Sequence, residues 1–200
     1  MLNTGLRGVV IADTRISDVQ GAAGKLIYRG YLIQDLANNV SFEEVAYLLL
    51  FEKLPVAAQL KAFKAQLAAE RGVSPQVIAA LKTRPKDAQV MDILQAGVAL
   101  LANHDPDITD QTKEAAVRMA VRLIAKFPTL LAAWDRIRND KEPLNPSPDL
   151  DHAANFLYML KGEEPDEEES RFMDTALVLH AEHSFNASTF AAREVASTRA

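Results

Sequence analysis

Several polar, titratable side chains crowd into apolar, alanine-rich sequence at one place, Leu177-Val-Leu-His-Ala-Glu-His-Ser-Phe-Asn-Ala-Ser-Thr189. His180 and His183 stand three apart, so an α-helix through them would carry both imidazoles on one face. Leu177, Val178 and Leu179 lead into the pair, and the small residues Ala187, Ser188, Ala191 and Ala192 follow it. This places the imidazoles near packed helices rather than in open water. A histidine in such surroundings has two readings: hydrogen-bonded and structural, or functional. A metal centre fits less well. Cysteine is absent, Glu182 points off the histidine face, and neither H-E-x-x-H nor a Cys/His cluster occurs, so no metal is expected.

Positioning these residues falls to helices. From Ser41 onward the apolar residues follow a helical period, and Ser41-Phe-Glu-Glu44 reads as a capping box opening a helix that Pro55 stops. A second helix is expected from Val56 to Arg71, ended by Gly72, and a short third one is opened by Ser74-Pro75. Val90 to Ala102 is apolar nearly all round, the pattern of a buried helix. Thr109 to Ile137 is a long helical stretch that Pro128 should kink or divide.

Pro143-Leu-Asn-Pro-Ser-Pro148 is a loop before a helix from Leu150 to Lys161, near whose start His152 reads as structural. His104 reads as a surface residue at a helix C-terminus. The acidic run Glu163–Glu169 leads into the histidine-bearing helix, expected over Arg171 to Ser184, and Asn186 is a candidate cap for the next. Residues 1–33 differ. Val9-Val-Ile11 and Leu26-Ile-Tyr28 are short β-prone runs separated by Gln20-Gly-Ala-Ala-Gly24, the pattern of a β-hairpin or meander. The expected architecture is therefore mainly α, a multi-helical body over 34–200 with a small β segment over 1–33.

Composition narrows the function classes. The chain has 200 residues, 48% of them hydrophobic, enough for a sizeable core. A net charge of -5 with interspersed signs and no basic stripe argues against a nucleic-acid partner. Without cysteine there is no disulfide framework and no thiol chemistry. No secretory signal and no membrane-length apolar run is visible, so a cytoplasmic protein with no membrane partner is expected.

His180-Ala-Glu-His-x-x-Asn-Ala-Ser-Thr189 resembles the H-A-[DE]-H-x-x-N-A-S-T segment of the citrate synthase family, which includes the 2-methylcitrate synthases. The resemblance extends through Gly5-Leu-x-Gly-Val-Val10, Leu26-Ile-Tyr-Arg-Gly-Tyr31, Ser41-Phe-Glu-Glu-Val-Ala-Tyr-Leu-Leu49, Phe127-Pro-Thr129, Trp134-Asp-Arg-Ile-Arg138 and Gly162-Glu-Glu-Pro-Asp166. It implies a helical large domain with a small β appendage, a homodimer, and condensation of acetyl-CoA with oxaloacetate and water to citrate and CoA. No cofactor is implied; the coenzyme A thioester is a substrate. That chemistry needs a base for a weakly acidic methyl proton, donors for the enolate, and cations or histidines for two carboxylates.

By the resemblance His183 contacts oxaloacetate, supported by His180 and Asn186. The family's Gly-Pro-Leu-His-Gly-Gly and Gly-Phe-Gly-His-Arg segments do not occur in these 200 residues. No catalytic residue is therefore expected in this chain, which matches the N-terminal half of the family and lacks its small domain. Ser184 and Phe185 also depart from the small or polar pair expected there.

Two readings remain open. One is half of a citrate synthase or 2-methylcitrate synthase, inactive alone. The other is a non-catalytic helical module that dimerises or pairs with a second chain. The last residues, Ser197-Thr-Arg-Ala200, carry no cap signal, which favours the first.

Overall fold

The computed structural model describes residues 10 and 12–198. Three short antiparallel strands come first: β1 (Ser17–Gln20), β2 (Lys25–Tyr28) and β3 (Tyr31–Leu32), in the order β1-β2-β3. A single 3-10 turn over Gly21–Ala23 joins β1 to β2 and is closed by Gly24 at φ 62°, a conformation that suits glycine. Arg29 and Gly30, both at positive φ, make the tight turn into β3. The expected small β segment is a three-stranded antiparallel meander. Leu26–Tyr28 pairs as anticipated, but its partner is Ser17–Gln20. Val9 and Ile11 lie outside the described residues, and Val10 is exposed and outside any strand.

Nine α-helices follow among the described residues: α1 (Ile33–Asn39), α2 (Phe42–Phe51), α3 (Ala57–Glu70), α4 (Pro75–Lys82), α5 (Val90–Ala102), α6 (Lys113–Arg138), α7 (His152–Lys161), α8 (Glu167–His180) and α9 (Ala187–Ser197). Local chemistry sets several starts. The Ser41 hydroxyl accepts from the Glu44 N–H while Glu44 accepts from the Ser41 N–H at 2.8 Å, so the capping box forms. Ser74 caps α4 ahead of Pro75, and Asp166 with Glu169 forms a second capping box at α8. The short helix α1 has no counterpart in the sequence reading.

Three expectations are corrected. α2 stops at Phe51, four residues before Pro55, because Glu52 turns left-handed at φ 69° and its N–H closes onto the Leu48 carbonyl. α5 is buried along one stripe only, Ile93, Gly97 and Leu101, spaced four apart; Met91 on another face is 72% exposed. α6 runs unbroken through Pro128, with Thr112 rather than Thr109 at its start. Pro128 supplies no N–H for the preceding turn. The apolar face of Val121, Ala125, Leu130, Ala133, Trp134 and Ile137, buried along the same helix, offsets that loss.

The core forms three clusters. Val77, Leu81, Ile93, Leu101, Leu130, Trp134 and Ile137 join α4, α5 and α6. Ala46, Phe63, Leu67, Val121 and Ala125 join α2, α3 and α6. Tyr28, Ile33, Leu36, Val45, Leu48 and Val178 join the sheet to α1, α2 and α8. Arg29 reinforces this last body by donating to the Leu49 carbonyl at 3.0 Å, and Asp174 on α8 accepts the Phe42 N–H at 3.0 Å. In contrast, α9 buries no side chain.

Candidate functional site

The fold separates the two central histidines. α8 begins at Glu167 and ends at His180, so the helix expected over Arg171–Ser184 is shifted and His183 lies in the connection to α9. The pair therefore does not share a helix face. Within this connection Ser184 turns left-handed at φ 64°. The Asn186 side-chain oxygen then accepts the Thr189 N–H at 2.8 Å and starts α9, the cap anticipated for this residue.

His180, exposed in the last turn of α8, places its Nδ1 2.7 Å from the Ala176 carbonyl oxygen. As donor there, Nδ1 carries the proton and Nε2 is left for another partner. His183 is exposed between two held neighbours, and Asn186 is exposed at its cap.

Glu182, expected to point away, is the residue the connection is built on. Its Oε1 accepts from the Ser17 hydroxyl at 3.0 Å and from the Ser184 N–H. Its main chain meets Tyr28: the phenol oxygen is 3.2 Å from the Glu182 amide nitrogen and 3.1 Å from the Glu182 carbonyl oxygen. The Leu179 carbonyl oxygen is 3.2 Å from the same phenol. A helix end leaves its last carbonyls and the following N–H groups unpaired. The phenol meets this need by accepting the Glu182 N–H and donating to a carbonyl. Burial, reinforced by the Glu182 carboxylate, raises the Tyr28 pKa, so the phenol keeps its proton.

Tyr28 and Ser17 lie more than 150 residues from Glu182 in sequence. Tyr28 belongs to the Leu26–Tyr31 stretch that carried the family resemblance, but no local pattern couples it to the histidines.

His152 belongs to a different environment. It is 3% exposed at the start of α7, its N–H donates to Glu43 Oε1 at 2.9 Å, and its ring packs against Phe42 with centroids 5.0 Å apart. Burial, together with the Arg71 guanidinium, lowers its pKa to about 4, so it is neutral near pH 7. Arg71 is likewise buried and donates to the Ser147 carbonyl at 2.6 Å, while Asn155 accepts the Ser147 N–H at 2.7 Å. These residues hold the proline-rich loop from inside.

A cavity of about 360 Å³ lies between α5 and α6, walled by Val98, Leu101, Met119 and Leu123. Its cations are committed: Arg122 forks onto Asp105 and also reaches Asp107, and Lys126 pairs with Glu70. None of His180, His183 and Asn186 lines it. Among the described residues, no group of three or more His, Cys, Asp or Glu is placed to hold a metal ion. No helix among them is long and apolar enough to cross a membrane.

The family model described as "Citrate synthase, C-terminal domain" matches residues 5–200. The chain is 45% identical over 199 residues to a citrate synthase of Acidithiobacillus ferridurans, covering 97% of this chain and 52% of that protein. It is also 39% identical over 199 residues to a 2-methylcitrate synthase of Shewanella oneidensis, covering 99% and 52%. Among solved structures, citrate synthase from Pyrobaculum aerophilum superimposes with a TM-score of 0.91 at 40% identity, covering 98% of this chain and 51% of that one. A ternary complex of Thermoplasma acidophilum citrate synthase with carboxymethyl coenzyme A and oxaloacetate gives a TM-score of 0.89 at 27% identity, covering 95% and 50%. The chain spans about half the length of the curated relatives it matches.

Proposed function

Because the chain belongs to the citrate synthase family, we propose that it supplies the oxaloacetate-contacting part of a citrate synthase. The observation that carries this reading is the connection at His180–Asn186, where the family-matching residues stand exposed on a segment braced by the buried Tyr28. In the proposed reaction, a base removes a proton from the methyl group of acetyl-CoA, and the enolate carbon attacks the ketone carbon of oxaloacetate. Water then cleaves the thioester of the adduct, giving citrate and CoA. His183 donates a hydrogen bond or a positive charge to a carboxylate or to the ketone oxygen of oxaloacetate. His180 supports it through Nε2, and Asn186 acts by fixing the start of α9 behind it.

The base and the remaining catalytic groups come from polypeptide outside these 200 residues. Coenzyme A enters as the thioester substrate, not as a resident cofactor. Relatives named citrate synthase and 2-methylcitrate synthase both match, so propionyl-CoA stands as the alternative acyl substrate. We also place the working protein in the cytoplasm as a homodimer. The exposed Val90 and Met91 on α5 support a second copy packing there.

Calorimetric titration of oxaloacetate into the chain and into its His183→Ala variant tests the reading. The expected result is saturable binding that the variant loses by tenfold or more, on the order of one charge-assisted hydrogen bond. Equal binding by both, or none by the unsubstituted chain, would overturn it.

A further inference from the structure

Ser17 and Tyr28 are direct partners across the β1–β2 ladder, and both hydroxyls reach Glu182. Directly opposed residues of an antiparallel pair project from the same face. A single rung of the sheet therefore supplies two hydroxyl groups to one residue of the α8–α9 connection. Tyr28 holds the main chain of Glu182 and caps the Leu179 carbonyl; Ser17 holds the carboxylate. That carboxylate in turn accepts the N–H of Ser184, the residue that turns left-handed. His183 is thus carried between a residue pinned from the sheet and a residue pinned by that same side chain. The support is rigid, because Tyr28 is 0% exposed and packs with Val45, Leu48 and Val178.

We propose that Ser17 and Tyr28 are positioning residues that set the direction in which His183 is presented to oxaloacetate. This proposal rests on the reading of His183 as a substrate contact. It gives the small sheet a role in the site although neither hydroxyl touches substrate: the β1–β2 rung is the template on which the binding segment is laid. Without the phenol, the last turn of α8 and the Glu182 N–H lose their shared partner. The chain from Ala181 to Phe185 then samples other directions.

The test is NMR on the 200-residue chain labelled in its histidine rings and amides, in the unsubstituted form and in the Tyr28→Phe and Ser17→Ala variants. In Tyr28→Phe the His183 ring signals shift and amide exchange at Glu182 and Ser184 speeds by about tenfold, as expected for one lost buried hydrogen bond. In Ser17→Ala the same residues change by less. In both, the His152 ring signals and exchange at Leu130 and Trp134 stay as they are. Unchanged His183 signals in both variants would overturn the proposal, as would faster exchange spread evenly through Val45, Leu48 and Trp134, the sign of a merely structural role. Should Tyr28→Phe fail to fold, Ser17→Ala and Glu182→Gln decide by the same signals.

An oxaloacetate titration of the same samples separates the two readings. Weaker binding in Tyr28→Phe with the His183 shift supports both. No uptake by the unsubstituted chain defeats the substrate assignment, while the ring signals still decide whether the sheet directs His183.

Discussion

His152 shows how burial rather than spacing decides what a histidine does. The folded value of about 4 lies below the ordinary 6.5, so the unfolded chain accepts a proton that the fold resists. Above pH 6.5 both states are neutral and the residue leaves stability unchanged. As pH falls below 6.5 stability drops, and the loss is complete near pH 4, amounting to about 3 kcal/mol. Asp174, whose pKa burial raises, works in the opposite sense as the solution becomes more acidic. Comparing the chain with a His152→Gln variant cancels that contribution. Urea unfolding at pH 7 and pH 4.5 is expected to show a smaller loss in the variant, by about 2–3 kcal/mol; equal losses would refute the assignment. At this scale the sequence was legible where chemistry is local. Ser41 with Glu44 and Asn186 at the start of α9 form as expected, whereas the Asp166–Glu169 box starts α8 ahead of the expected Arg171. His180 and His183 do not share a face, because three-residue spacing gives one only inside a helix and His183 lies beyond the end of α8. The helix ends at His180, and the phenol that ties off its end comes from a strand more than 150 residues earlier.

At the scale of elements, α6 is the clearest contest between local and tertiary preference. Pro128 in its interior removes an N–H and crowds the carbonyl four residues earlier, at a cost of up to about 3 kcal/mol in a helix interior. The helix persists because Trp134, Leu130 and Val121 are each at most 2% exposed along it. A Pro128→Ala variant restores the missing donor, so its urea midpoint is expected to rise by the equivalent of about 1–3 kcal/mol. A lowered midpoint would show that the ring contributes more to packing than the helix loses to it. The same competition explains α5, whose apolar composition suggested burial on every side. Only the stripe facing α4 and α6 is covered. Composition reports what a helix tolerates, whereas its neighbours determine what is buried. The strand pairing followed a similar rule: a turn closed by Gly24 placed Ser17–Gln20, which is neither apolar nor β-branched in pattern, beside Lys25–Tyr28.

Taken whole, the chain organises the sheet, α1, α2 and α8 around one apolar cluster and carries the His180–Asn186 connection on its edge. The helical class and the family were legible in the sequence because motifs spread along it match in order; the bracing of the connection was not, since it arises only when the two ends of the chain meet. Among the described residues no side chain of α9 is fully buried, and the relatives are about twice as long.

The most direct measurement of the central claim is a titration of oxaloacetate into the histidine-ring-labelled chain, followed by NMR at all four histidines. Saturable shifts are expected at His183 and smaller ones at His180, with His104 and the buried His152 unmoved. Saturation that appears at His104 or His152 while His183 stays fixed would contradict it.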